Sequence, residues 1–250
     1  MATKTWTGAI STDWHNAGNW SGGAPTSADD VVLAGANPCN IGDNFSSNGE
    51  CKTLTSAAYT GLFSCIDGTN LRAYGSVSFG AGMTLNSAFE IYFMVSGTLT
   101  TNGQTLGAIG TDANNVTVTL GSNVTTNRFS TSNGSGHVTT FALGARTLTF
   151  ENAFVFPNQT CIFTWADGGK ILVKTVAGGG GGMDFGNNGA TMTWPRIELD
   201  ATAGNSIEIT SNMTVQRWTV LGGVVDLNGF TITELDPAGG GGGSNIFWAL

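Results

Sequence analysis

Three stretches of this chain follow one plan: VSGTLTTNGQTLGAIG at 95–110, VTTFALGARTLTF at 138–150 and LGGVVDLNGFTIT at 221–233. Each opens with a short alternating segment, passes a Gly-containing turn and resumes with Thr and a second alternating segment. The Thr after the turn falls at 105, 147 and 231, spacings of 42 and 84 residues. Upstream, SNVTTNRFS (122–130) and SNMTVQRWT (211–219) share Ser-Asn-x-Thr and a basic residue followed by an aromatic, and GAGMTLNSAFEIYFMVSG (80–97) is a looser copy. Such repetition constrains the fold more than any other feature. One unit of short strands cannot bury its apolar side alone and has to stack on its neighbours. Two coils of about 20–25 residues per period give a right-handed parallel β-solenoid. Inward Val, Ile, Leu and Phe join into one core, Asn and Gly take the corners, and outward Thr keeps strand propensity without charge. The alternative is an antiparallel β-sandwich or jelly roll, favoured by the hairpin-like steps Asn102-Gly103 and Asn228-Gly229.

The repeats divide the chain into a capping segment at 1–35, a solenoid body at 36–235 and an arm at 236–250. The glycine run AGGGGGMDFGNNG (177–189) is expected to be a long surface loop within the body. A second run, DPAGGGGGSN (236–245), detaches the apolar tail NIFWAL. In that tail Ile246, Phe247, Trp248 and Leu250 are candidate contacts with a neighbouring subunit, with docking on their own chain as the alternative.

Composition agrees with an all-β chain. There are 38 Gly, 35 Thr and 22 Asn, and the stretch 91–111 contains no charged side chain. Helix formers are few and no apolar stripe at helical spacing is sustained. The formal charge is -8, and the nine basic residues are scattered singly. A nucleic-acid groove needs clustered Lys and Arg, so nucleic acid is excluded as a partner, as is electrostatic recruitment to a membrane. The opening MATKTWTG has no apolar core followed by a small-residue cleavage site, which implies a soluble chain not exported by the usual signal. No apolar run is long enough to span a bilayer.

Motifs for chemistry are sparse. His15 and His137 have no motif-grade partner, and no Gly-x-Ser-x-Gly elbow accompanies them. The carboxylates Asp184, Glu198, Asp200 and Asp226 are the candidates for glycan cleavage, with Glu198 and Asp200 on one strand face in RIELD. A solvated sheet edge explains that pair more simply. Asp29, Asp30, Asp43 and the DGT at 67–69 offer oxygen to calcium, but without an EF-hand or a tandem Gly-Asp repeat. No phosphate-cradling glycine loop is present. No catalytic residue, metal or cofactor is therefore assigned, and a non-enzyme is expected. Cys39, Cys51, Cys65 and Cys161 match no zinc or redox spacing and are expected as buried thiols, with Cys39–Cys51 the alternative disulfide. Trp165, Trp194, Trp218, Tyr59, Tyr74 and Tyr92 would form a sugar-stacking strip if they pointed outward; core packing explains them equally well. Trp218 matches Phe129 between the repeat copies, as a packing position would.

The stretch TWTGAISTDWHNAGNWSGGAPTSADDVVL carries a resemblance, through Trp6, Gly8, Asp13, Trp14, Asn19, Trp20, Gly23, Pro25, Asp30 and Val31. It resembles the opening of β-rich structural proteins of tailed bacteriophages and prophages, and the segment that precedes the β-helical repeats of bacterial surface proteins. The G-x-L-x-x-N-G-x-T-L at 97–106 is similar in style to the repeats of those families. The resemblance implies a capped solenoid with a virion role: a capsid decoration protein, or a tail or fibre component. Its implied partners are its own copies, as a trimer by preference, and other virion proteins such as the major capsid or tail proteins. It implies a virion assembled in the host cytoplasm, or alternatively a bacterial cell surface. A carbohydrate-binding adhesin that engages a host-surface glycan is the second functional alternative, and a polysaccharide-degrading β-helix enzyme the third. Trp6, Trp14 and Trp20 are read as buried contacts of the cap, with Pro25 setting the backbone and Asp30 bonding turn amides.

Overall fold

A strand with period-two alternation sends every second side chain to one side of its sheet. In Val116–Leu120 that set is Val116, Val118 and Leu120, all buried, while Thr117 and Thr119 face outward. The computed structural model describes residues 2–43, 47–66, 68–131, 138–151, 154–155, 160–175, 181–184, 193–201, 206–209, 212–227 and 229–235. Among them every strand pairing is parallel. The exception outside the strands is an antiparallel bridge between Trp6 and Trp20. The chain is a parallel β-solenoid, and the antiparallel sandwich is set aside.

Two sheets organise the stack. The longer has nine strands, from Gly49–Cys51 through Leu71–Ala73, Glu90–Phe93, Thr105–Thr111, Val124–Thr131, Thr147–Phe150, Lys170–Thr175 and Arg196–Ala201 to Trp218–Gly222. A second, eight-stranded sheet runs from Thr3–Thr5 and Asp30–Gly35 through Thr53–Tyr59, Val77–Ser78, Gly97–Thr100, Val116–Leu120 and Val138–Gly144 to Thr160–Trp165. In the early coils a small third sheet, Cys39–Ile41, Leu62–Cys65 and Thr84–Leu85, comes between the second sheet and the long one. Later coils instead insert strands after the long sheet: Phe154–Val155, Gly181–Asp184, Ser206–Ile209 and Val224–Asp226. Their circuit is completed by Thr193–Trp194, Met213–Val215 and Ile232–Glu234. The extra side thus moves from one flank of the long sheet to the other along the stack. Coil length varies accordingly, from the 18 residues between Ile91 and its partner Ile109 to the 29 between Phe154 and Met183.

Stacking puts like side chains above one another. Phe129, Phe141, Phe163 and Trp194 form one aromatic run, with ring centroids 5.3, 5.6 and 5.2 Å apart. At the other end Trp14 stacks on Phe63 at 5.7 Å, and Phe63 meets Phe89 at 4.8 Å. Trp218 is buried like Phe129 but occupies a different column, the one holding Val124, Leu148, Ile171 and Ile197. Their likeness in sequence reports inward packing rather than shared register.

Three local expectations change. Asn102 (φ 49°) and Gly103 (φ 91°) take the left-handed backbone of a hairpin turn, yet they join strands of different sheets. Neighbouring coils hold the corner in place: Asn102 Nδ2 donates to the Phe79 carbonyl at 2.8 Å, and Thr101 N to Ser122 Oγ at 2.9 Å. The Thr positions 105 and 147 both open strands of the long sheet, whereas Thr231 precedes Ile232–Glu234 on another side. A Gly turn followed by Thr suits any corner of the coil, so the third copy repeats a corner and not a face. Within the expected glycine loop, Gly181–Asp184 is a strand paired with Phe154–Val155 and with Ser206–Ile209. Glycines also permit coils to approach, since a Cβ on Gly80 would lie 2.2 Å from the Ser56 carbonyl.

Phe141 touches rings in the coils on both sides, so Phe141→Ala leaves a cavity shared by three coils. It is expected to cost about 3–5 kcal/mol. Outward Thr119→Ala is expected to stay within about 0.5 kcal/mol. Equilibrium denaturation of the two variants checks both values.

Candidate functional site

The basic residues of the body lie in or beside the strands of one sheet, the long one. Of the nine basic residues, Arg72, Arg128, Lys170, Lys174 and Arg196 lie in its strands, and Lys52, Arg146 and Arg217 adjoin them. Alternation explains their direction: Ile171, Val173, Ile197 and Leu199 point inward and are buried, which turns Lys170, Lys174, Arg196, Glu198 and Asp200 outward.

On this surface charges meet across coils. Arg72 Nη2 is 3.3 Å from Asp112 Oδ2, and Arg128 pairs with Glu90. Lys170 Nζ donates to Glu198 Oε2 at 2.6 Å, and Arg196 Nη2 lies 2.7 Å from Glu198 Oε1. Glu198 is therefore a buried carboxylate held between two cations, not part of a solvated edge. Asp200 shares its strand and face but stays half-buried. Asp226 and the backbone of Asp184 belong to a different sheet, so the four candidate carboxylates are split between two sheets. Two tyrosines stand beside these groups near the N-terminal end, Tyr74 half-buried and Tyr92 buried. Tyr74 Oη is 3.5 Å from Glu50 Oε1, and Tyr92 Oη is 3.5 Å from Glu90 Oε2. Burial, with the neighbouring Glu50 carboxylate, raises the Tyr74 phenol above its ordinary value. The other proposed sugar-stacking residues point elsewhere: Tyr59, Trp194 and Trp218 are core, and Trp165 packs partly buried against it.

The second sheet has the opposite chemistry. Its outward positions are Thr53, Thr55, Ser78, Thr98, Thr100, Thr117, Thr119, Thr140 and Thr164, with Ala and Ile among them and no charge from Thr53 to Thr164. They stand in register, Thr55 beside Ser78, Ser78 beside Thr100 and Thr98 beside Thr119. This order was not drawn from the sequence. The T-x-T triplets at 53–55, 98–100 and 117–119 are the signal that could have revealed it.

The Trp-rich segment lies at the N-terminal end of the stack. Trp20 meets Trp6 edge-on at 4.9 Å and Trp14 at 4.7 Å, and all three are buried. Trp20 Nε1 donates to the Trp14 carbonyl at 2.6 Å, and Trp6 Nε1 to the Asn37 carbonyl at 3.0 Å. Backbone pairing accompanies the packing. Residues 12–14 bond the first strand of the third sheet, with Trp14 N donating to Asn40 O and Asn40 N to Thr12 O. The outer edge of Thr3–Thr5 is met by Ser21, whose N–H reaches Thr5 O and whose hydroxyl accepts from Thr5 N.

Asn19, fully buried, organises the loop. Its Oδ1 accepts from Ile10 N and Ser11 N at 2.9 Å each, and its Nδ2 donates to Asp13 O at 2.8 Å and Ser11 Oγ at 3.0 Å. Pro25 is buried where the chain turns toward Asp30–Gly35. The role expected of Asp30 falls to its neighbour. Asp29 accepts from Thr26 N, Thr26 Oγ1 and Ala2 N, whereas Asp30 accepts from Thr53 Oγ1 at 2.7 Å and so ties two coils. Only Asp29 lies three residues after Thr26, the reach of a closed turn.

Cys39, Cys51, Cys65 and Cys161 are all buried, and no disulfide joins them. Burial pushes the thiols of Cys51 and Cys65 up to about 12, which keeps them protonated and unreactive. Among the described residues no group of three or more His, Cys, Asp or Glu could hold a metal ion. Nor does any helix there have the length and apolarity to cross a membrane. His137, Asp67, Asn228, the side chain of Asp184 and the tail residues Ile246, Phe247, Trp248 and Leu250 lie outside the described residues. Comparison with protein-family models, curated proteins and solved structures gives no match for the chain.

The bonds from Thr26 and Ala2 hold the Asp29 carboxyl below its ordinary value. A depressed folded value contributes stability that is fully present above the ordinary aspartate range, near ~3.9, and is lost as the pH falls through the folded value. Asp29→Asn is accordingly expected to be less stable than the wild type at neutral pH. The gap should close as both are titrated through and below pH ~3.9, read from denaturation midpoints at each pH.

Proposed function

We propose that the protein is a non-enzymatic structural component of a phage virion, a capsid decoration protein or a tail or fibre part, which attaches to other subunits by many weak contacts. The observation that carries the proposal is the use made of the charged groups. On the long sheet they are tied to one another, across coils from Arg72 to Asp112, Arg128 to Glu90 and Lys170 to Glu198, and along one strand from Arg196 to Glu198. Such pairs stiffen a stack, and they leave the second sheet as a charge-free field of hydroxyls at fixed spacing. Each hydroxyl contact is weak, but a rigid body presents many together, and avidity then exceeds any single affinity. The resemblance of the Trp6–Val31 stretch to virion proteins supports the same assignment, in which copies of this chain act together, as a trimer by preference. Particles purified on a density gradient from cells producing the tagged chain should contain it at a constant copy number. Recovery only outside the particle fraction would overturn the assignment.

Tyr74 favours a second function, binding of a host-surface glycan. Its half-buried ring beside the Glu50 carboxylate combines a stacking surface with an acceptor for sugar hydroxyls. The expected outcome is retention on immobilised host-surface polysaccharide, weakened about tenfold or more in Tyr74→Ala, a loss of roughly 1.4 kcal/mol. Elution of the wild type with the void volume would remove this function.

A further inference from the structure

The two ends of the solenoid are finished differently. At the N-terminal end the Trp segment covers the core and pairs with strand edges. At the C-terminal end, among the described residues, Trp218–Gly222, Val224–Asp226 and Ile232–Glu234 are each the last strand of their sheet. Trp218 is buried, but the core-facing positions beyond it are open. Val220 stands beside Leu199, which is fully buried, yet Val220 is 43% exposed. Val225 and Ile232 continue the columns of Ile207 and Met213, both buried, but are themselves only partly covered. Leu221, Val224 and Leu235 add exposed apolar surface around them. An end with open columns and strand edges invites pairing with another chain unless something covers it.

We propose that residues 245–250 of the same chain close this end, with Phe247 and Trp248 serving there as Trp6, Trp14 and Trp20 serve at the other. Nine residues, 236–244, separate Leu235 from Asn245, and five of them are consecutive glycines. A glycine-rich linker of that length spans about 17 Å root-mean-square, more than the ~10 Å between packed sheets, so the tail reaches any part of the last coil. Tethering supplies an effective concentration in the millimolar range, on the order of a thousandfold above a second copy at micromolar concentration. The apolar tail is therefore better placed to cover its own chain's end than that of a neighbour.

Cross-linking in the full chain with Val224→Cys and Ala249→Cys tests the proposal, since the native thiols are buried. The expected product runs as a monomer, formed at a rate independent of protein concentration. A cross-linked dimer whose yield rises with concentration would overturn it in favour of an interface between copies. A second measurement reads the consequence of losing the plug. Deleting 245–250 should lower the melting midpoint by several degrees and make the chain self-associate in sedimentation. An unchanged midpoint and an unchanged sedimentation coefficient would overturn the proposal as well.

Discussion

Everything in this molecule depends on the ladder of backbone hydrogen bonds between one coil and the next. Parallel strands about 4.8 Å apart place each side chain directly over its partner in the previous coil. That repetition makes columns: Leu71, Ile91, Ile109 and Phe129 form one, and Val124, Leu148, Ile171, Ile197 and Trp218 another. A single polar residue in such a column would interrupt burial for two neighbours at once. The columns named here are apolar from end to end.

The same ladder creates the main difficulty of the fold, because a stack has two ends and each end exposes strand edges and core. The chain answers at the N-terminal end with aromatic mass and with backbone groups that pair there, held by Asn19 and Asp29. These two residues do no packing of their own comparable to the tryptophans. Their part is to satisfy amides that the cap would otherwise bury unpaired, each of which would cost about 1–3 kcal/mol. One group escapes this care, since the buried Trp14 indole N–H has no partner among the described residues.

Outside the core, the stack sorts chemistry by sheet. The long sheet collects charges and tyrosines, and the second sheet collects hydroxyls. Ion pairs such as Glu198 with Lys170 and Arg196 join positions 28 and 2 apart in sequence, and it is the coil length that converts the first separation into contact. Cross-coil pairing of this kind neutralises Arg72, Arg128 and Lys170 against carboxylates that lie far from them in sequence.

The repeat plan, the Gly and Asn corners and the inward run of Val, Ile, Leu and Phe point to a parallel solenoid from the sequence alone, because stacked repeats bury one side of many short strands, while the parallel pairing that sets an antiparallel sandwich aside is a matter of tertiary structure. The burial of Trp6, Trp14 and Trp20 was legible too, since so much aromatic surface lies next to the first coil. Other features were decided only by tertiary structure. Coil lengths vary between 18 and 29 residues, so sequence spacing does not reveal which Thr faces which sheet, and Thr231 was matched to the wrong side. The choice of Asp29 over Asp30 for the turn amides, and the capture of Glu198 between two cations, depend on angles at one corner and on register between coils. Register is a relation between residues twenty or more positions apart, and no local pattern encodes it.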